Sequence, residues 1–208
     1  MIKEFIAGGG IMWFLLACII IGLGLLIERI YTVLFKMKLN AKIFLPKLIE
    51  AVDKNGFKAG IELCDNTPSP VARVLRSALE KADKGRSEME DSVIRSATTE
   101  LAFLDRGMPL LGGIIMVAPF FGFLGTVTGM IRAFAAVAAV GEVEPTVVAS
   151  GIAEALITTK WGLIIAAPLA IIQILLQGRI TSYNRDIETS AATLIDYLAE
   201  KFECTVKK

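Results

Sequence analysis

Long uncharged stretches alternate with mixed polar segments along this chain, and the alternation predicts three membrane-crossing helices. Phe5 to Ile27 contains no charged residue. At a rise of about 1.5 Å per residue, this run is longer than the roughly 30 Å of a hydrocarbon core. Gly107 to Ile131 is a second uncharged run, and Trp161 to Gly178 is a third, extended upstream by a mostly apolar stretch from about Pro145. A cleaved signal peptide is the alternative for the first run, but the run outlasts a signal peptide's apolar region and no A-x-A-like cleavage site follows it. The expected layout is a short N-terminus (1–4), a first span (5–27), a cytoplasmic helical region (28–106), a second span (107–140), an outer turn (141–145), a third span (146–178) and a cytoplasmic helical tail (179–208). The fold class is an all-α membrane protein with three transmembrane helices and cytoplasmic helical extensions.

The polar segments carry helix punctuation. Asn55-Gly56 ends one helix, and Ser69-Pro70 opens another with an N-cap followed by proline in the first turn. Ser87 with Glu90 has the spacing of a capping box, opening a helix that runs towards Arg106 and on into the second span, with a kink expected at Gly107 and Pro109. Beyond the third span, Ile180, Ile187, Ala191, Leu194, Leu198 and Phe202 keep helical spacing, so the tail is expected to be amphipathic and continuous with that span.

Composition agrees with a membrane setting. Of 208 residues 54% are hydrophobic, and the mean hydropathy is +0.62, too apolar for one soluble domain of this length. A net charge of +1 gives no global field that points to nucleic acid. The chain has no histidine, which removes the commonest general base and metal ligand, so no enzyme, metal or cofactor is expected. Cys18, Cys64 and Cys204 lack metal-site spacing and read as structural. Charge placement sets the orientation. Residues 28–106 hold 14 Lys and Arg against 12 Asp and Glu, with Arg29, Lys36, Lys38, Lys42 and Lys47 just behind the first span. The turn around Glu142 and Glu144 carries only acid. By the positive-inside rule the long segment and the tail are cytoplasmic, and the turn and the N-terminus are outside.

Three charges interrupt the apolar runs, and each costs a few kcal/mol in a bilayer. Arg132 closes the second run, while Glu154 and Lys160 break the third. Antiparallel helices match residues equidistant from their turn, and Arg132 and Glu154 each lie 11 residues from Val143, roughly 16 Å in and near the midplane. The same count brings Thr126 and Thr159 to a deeper shared level. Gly122, Gly125 and Gly129 read as helix-packing positions: Gly125 and Gly129 form a GxxxG that would hold Thr126 against a neighbour, and with Ala133 would let second spans approach one another or a partner helix. Simpler accounts stand beside these. A threonine in a membrane helix often only bonds its own backbone, Arg132 and Glu154 form a charge pair that neutralises itself within one chain, and Lys160 snorkels to cytoplasmic headgroups.

The blocks Gly122-Phe123-Leu124-Gly125-Thr126-Val127-Thr128-Gly129 and Gly151-Ile152-Ala153-Glu154-Ala155-Leu156-Ile157-Thr158-Thr159, followed by Gly162-Leu163 and Ala166-Ala167-Pro168, resemble the signature of the MotA/TolQ/ExbB proton channel family, in its ExbB/TolQ-like branch. The likeness covers about residues 100–185 closely. It implies an inner-membrane homopentamer whose second and third spans surround the single span of an ExbD- or TolR-like partner with a membrane aspartate, coupled to a TonB/TolA-like protein. Thr126 and Thr159 would be pore threonines and Glu154 the intramembrane glutamate, with no role assigned to the adjacent Thr128 and Thr158. Lys160 stands where the family usually has a small residue, and Arg132 adds a cation to the second span.

Two functions from different classes follow: an ion-conducting motor subunit driven by protons or sodium, and a scaffold that only assembles around another protein. A lone solute transporter is disfavoured, because three spans without an inverted repeat give no alternating site. The orientation has a direct check. A cysteine placed at Glu142 is expected to react with a membrane-impermeant reagent added to the outer face, and labelling solely in inverted vesicles would reverse the assignment.

Overall fold

A computed structural model describes residues 2–36, 39–140 and 145–206, and among them it contains helices and no strand. The turn carrying Glu142 and Glu144 therefore lies outside the described residues, as do the side chains of Lys36, Lys38, Phe202 and Cys204. Seven α-helices follow one another: α1 (Ile2–Ala7), α2 (Ile11–Lys36), α3 (Ala41–Asp65), α4 (Pro70–Leu79), α5 (Arg86–Asp105), α6 (Met108–Val140) and α7 (Pro145–Val206). Three helical stretches are long and apolar enough to cross a membrane, within Ile11–Leu34, Arg86–Ala139 and Val148–Lys201. The chain divides into two units, one of residues 1–29 and 107–175, the other of residues 30–106 and 176–208.

The first unit holds the apolar spans. Large side chains such as Phe120, Phe123, Ile171 and Ile174 are more than 60% exposed on it, a surface that water would penalise and that lipid or neighbouring protein accommodates. The first apolar run is not one helix. It breaks at Gly8-Gly9-Gly10, where Gly9 adopts φ 68°, a left-handed conformation that glycine takes without steric cost.

The second unit has a packed apolar core of its own. Val71, Ala72, Val74, Leu75, Ala78 and Leu79 on α4 are all buried, beside Phe44, Leu48 and Val52 of α3. The tail supplies the opposite wall, for Ile180, Ile187, Ala191, Leu194 and Leu198 are each at most 2% exposed, as their spacing predicts. Polar contacts fix the rim: Arg73 grips Glu100 with two bonds of 2.6 and 2.5 Å, Arg86 meets Asp196 at 2.8 Å, and Asp53 accepts from Tyr197 and Lys201. Asp53 is held below the usual carboxylate range, first by the Lys201 bond and then by Tyr197. Cys64 is buried and its thiol is pushed up to about 12, chiefly by desolvation, so it is inert, as a structural cysteine should be.

The punctuation differs in detail. Gly56, at φ 78° and ψ −179°, kinks α3 in mid-course. Ser69 is the N-cap of α4 in extended conformation, but its hydroxyl makes no capping bond and instead pairs with Tyr183 Oη at 3.3 Å. The expected capping box is absent. Gly85, at φ 97°, caps α5 one residue before Arg86, which leaves Ser87 inside the first turn and turns Glu90 towards Arg86 at 2.8 Å. Arg106 and Gly107 interrupt the helix before α6: Arg106 is extended and Gly107 has φ 89°.

Candidate functional site

Helices α6 and α7 touch along a seam of small residues. A Cβ on Gly125 would fall 2.1 Å from Thr158 Oγ1, one on Gly129 3.1 Å from the Gly151 carbonyl oxygen, and one on Gly162 2.8 Å from the Ala118 carbonyl oxygen. Only glycine allows two backbones this close, and in lipid such close packing is what holds helices together. The glycine face of α6 is therefore used within one chain, against α7. That corrects the expectation that Gly125, Gly129 and Ala133 face another second span or a partner helix, because Ala133 too is buried, against Gly151.

The seam sets which polar groups meet. Gly122 presents its carbonyl to both Thr158 and Thr159, whose hydroxyls donate to it over 3.1 Å each, and Thr158 also reaches Ala155 O at 2.8 Å. The Thr126 hydroxyl donates to Phe123 O at 2.6 Å on its own helix, and Thr128 likewise bonds Leu124 O and Gly125 O. The hydroxyls of Thr126 and Thr159 thus bond neighbouring carbonyls of α6, those of Phe123 and Gly122. Gly125 faces Thr158 where the symmetrical count about Val143 puts residue 161, so the register is offset by about three residues, nearly one turn. Arg132 spans the offset with its long side chain and meets Glu154 at 2.8 Å.

The depth of this pair also needs correcting. A Cβ on Gly9, just before α2, would lie 2.4 Å from Glu154 Oε1 and 3.5 Å from an Arg132 terminal nitrogen. The pair is therefore level with the N-terminal end of the first span. A Cβ on Gly107 would lie 3.5 Å from Arg29 Nε, which marks the other end. From Gly9 to Arg29 the chain advances roughly 30 Å, so the pair lies beside one end of the first span's helix and not beside its middle. Lys160 does not snorkel to the opposite headgroups. Its ammonium binds Glu4 of α1 at 2.6 Å.

Three contributors were missed in the sequence. Gln173 Nε2 donates to Met108 O at 3.2 Å across α6 and α7, and a Cβ on Gly112 would lie 3.0 Å from that nitrogen; a lone amide in an apolar run was the available signal. Glu4 and Gly9 had none, since nothing in their spacing shows that α1 returns to the third span. Among the described residues no cluster of His, Cys, Asp and Glu could hold a metal.

A carboxylate, an arginine and two hydroxyls thus lie along one glycine-packed helix pair. The model of the MotA/TolQ/ExbB proton channel family matches residues 66–189, which include that entire pair of blocks. The chain belongs to this family. A putative biopolymer transport protein ExbB homolog of Methanothermobacter thermautotrophicus is 31% identical over 90% of this chain and 67% of its own length. The ExbB-like 1 protein of Synechocystis is 32% identical over 80% of this chain and 66% of its own length, and exbB1 of Vibrio cholerae is 32% identical over 77% and 72%. The chain spans about two thirds of the length of the first two relatives. Three apolar helices and the family together make it a multi-pass inner-membrane protein of the ExbB-like branch.

The seam is testable in the isolated chain. Gly125→Ala is expected to lower the thermal midpoint in detergent by several degrees, because the new methyl overlaps Thr158, and adding Thr158→Ala is expected to recover most of the loss. An unchanged midpoint for Gly125→Ala would remove the seam from the account.

Proposed function

We propose that this chain is the ion-channel and stator subunit of an ExbB–ExbD/TolQ–TolR-like motor, spending an ion gradient on work across the cell envelope. It is not an enzyme on this reading. The observation that carries it is the exposure of the charged pair: the side chain of Arg132 is 59% exposed and that of Glu154 is 24% exposed on the isolated chain. A pair that only neutralised itself would be more stable shielded within the chain, whereas charges presented outwards from apolar spans need a water-filled or protein-lined interior. A homopentamer would provide one, with α6 and α7 around the single span of a partner whose membrane aspartate accepts and releases the ion. Thr159 and Thr126 would line the route beyond Glu154, and the positively charged segment 28–106 would lie in the cytoplasm.

The 2.8 Å contact between Arg132 and Glu154 favours the second reading, a scaffold in which that contact is structural. The double change Arg132→Gln with Glu154→Gln separates the two. The motor reading expects wild-type oligomer mass with proton and sodium uptake at background in vesicles containing the partner, and Glu154→Gln alone equally inactive. If the double variant regains an activity that each single change loses, the pair is a charge balance and the motor role of Glu154 falls.

A further inference from the structure

Ahead of the first span the chain makes a hairpin whose contacts converge on the charged residues of α7. Helix α1 runs from Ile2 to Ala7, turns through Gly8-Gly9-Gly10, and leads into α2 at Ile11. Gly9 lies against the Glu154 carboxylate so closely that a Cβ there would stand 2.4 Å from Oε1, and its φ of 68° is itself a glycine conformation. Six residues along α7, the Lys160 ammonium binds Glu4 at 2.6 Å. These contacts are independent: one is a backbone approach at the turn, the other an ion pair on the helix.

What lies beside α1 matters as much as what holds it. Phe5 meets Trp13 edge to face, with centroids 5.2 Å apart. Beside them, however, is an open apolar groove of about 310 Å³ that Phe5, Met12, Leu15 and Trp161 help to line. Helix α1 thus borders an open groove through Phe5 rather than completing a packed core, and forgoes the dense apolar contact that fixes a buried helix. Few groups hold it down. The Glu4–Lys160 pair is the strong one, since both partners are charged and the bond is short.

We propose that α1 and its glycine turn form a cover over the Glu154 carboxylate, latched by the Glu4–Lys160 pair, and that opening this cover sets how readily Glu154 is reached from the N-terminal end of the spans. Glu4, Gly9 and Lys160 are positioning residues in this account: they act on Glu154 by covering it. The inference rests on the reading of Glu154 as the ion-path carboxylate for its functional meaning, but the cover has its own readout.

That readout is the rate at which a hydrophobic carbodiimide forms an adduct on Glu154 in the assembled complex in vesicles, followed by mass spectrometry, with Glu154→Gln as the blank. Glu4→Gln and Lys160→Gln are each expected to label roughly threefold to tenfold faster than wild type, the shift that loss of one charge-assisted contact gives a two-state opening. The two changes together should label no faster than either alone, because they break one contact. Lys160→Arg, which keeps the cation, should label at the wild-type rate. Gly9→Ala should label faster through the turn, independently of the latch. Wild-type labelling in Glu4→Gln would overturn the proposal, and so would additive acceleration in the double variant. If Glu154→Gln instead conducts ions normally, the motor role of Glu154 fails while the labelling result still decides the cover.

Discussion

Everything at the site depends on how closely α6 and α7 approach. Gly122, Gly125, Gly129, Gly151 and Gly162 leave no room for a Cβ between the two backbones, and that contact fixes the register to within a turn. Register in turn decides chemistry: it brings Thr158 and Thr159 to the Gly122 carbonyl and leaves Arg132 near enough to reach Glu154. Lipid supplies no hydrophobic drive for two helices to associate, so packing and cross-helix hydrogen bonds do this alone. Gln173 extends the same logic to the far end of the pair through Met108 O.

With register fixed, the N-terminal hairpin explains two charges that sit awkwardly in an apolar run. Lys160, which stands where the family usually has a small residue, is matched by Glu4, and Glu154 is matched by Arg132 and covered by Gly9. Each charge thus has an opposite charge at hydrogen-bond distance, which lowers its cost in an apolar setting.

Much of this was legible in the chain, for identifiable reasons. Spans follow from uncharged length, and the tail's buried stripe from helical spacing, because both are local properties of sequence. The proximity of Arg132 and Glu154 followed from counting outward from a turn. The same count assumed a symmetrical hairpin, and the glycine seam shifts the register by about three residues. The count measured depth from the turn, whereas the contact of Gly9 with Glu154 sets the pair level with the N-terminal end of α2. The fold-back of α1 had no periodic signal, for six residues of helix before a glycine turn read as the start of the span they precede. Ser87 mimicked a cap because Gly85, one of the few residues comfortable at φ 97°, took that position first.

The proposed function draws on family membership, the outward-facing charged pair and the hydroxyls beside it, and it makes one claim: ions cross the membrane through an assembly of this chain with a single-span partner. Co-reconstitution of the two purified proteins in sealed vesicles, with an imposed potential and internal dyes for protons and sodium, reads that claim most directly. The account predicts uptake of one of these ions in vesicles holding both proteins, well above vesicles holding either alone. Equal, background-level uptake in all three preparations, with the complex intact by mass, would contradict it and leave a scaffold.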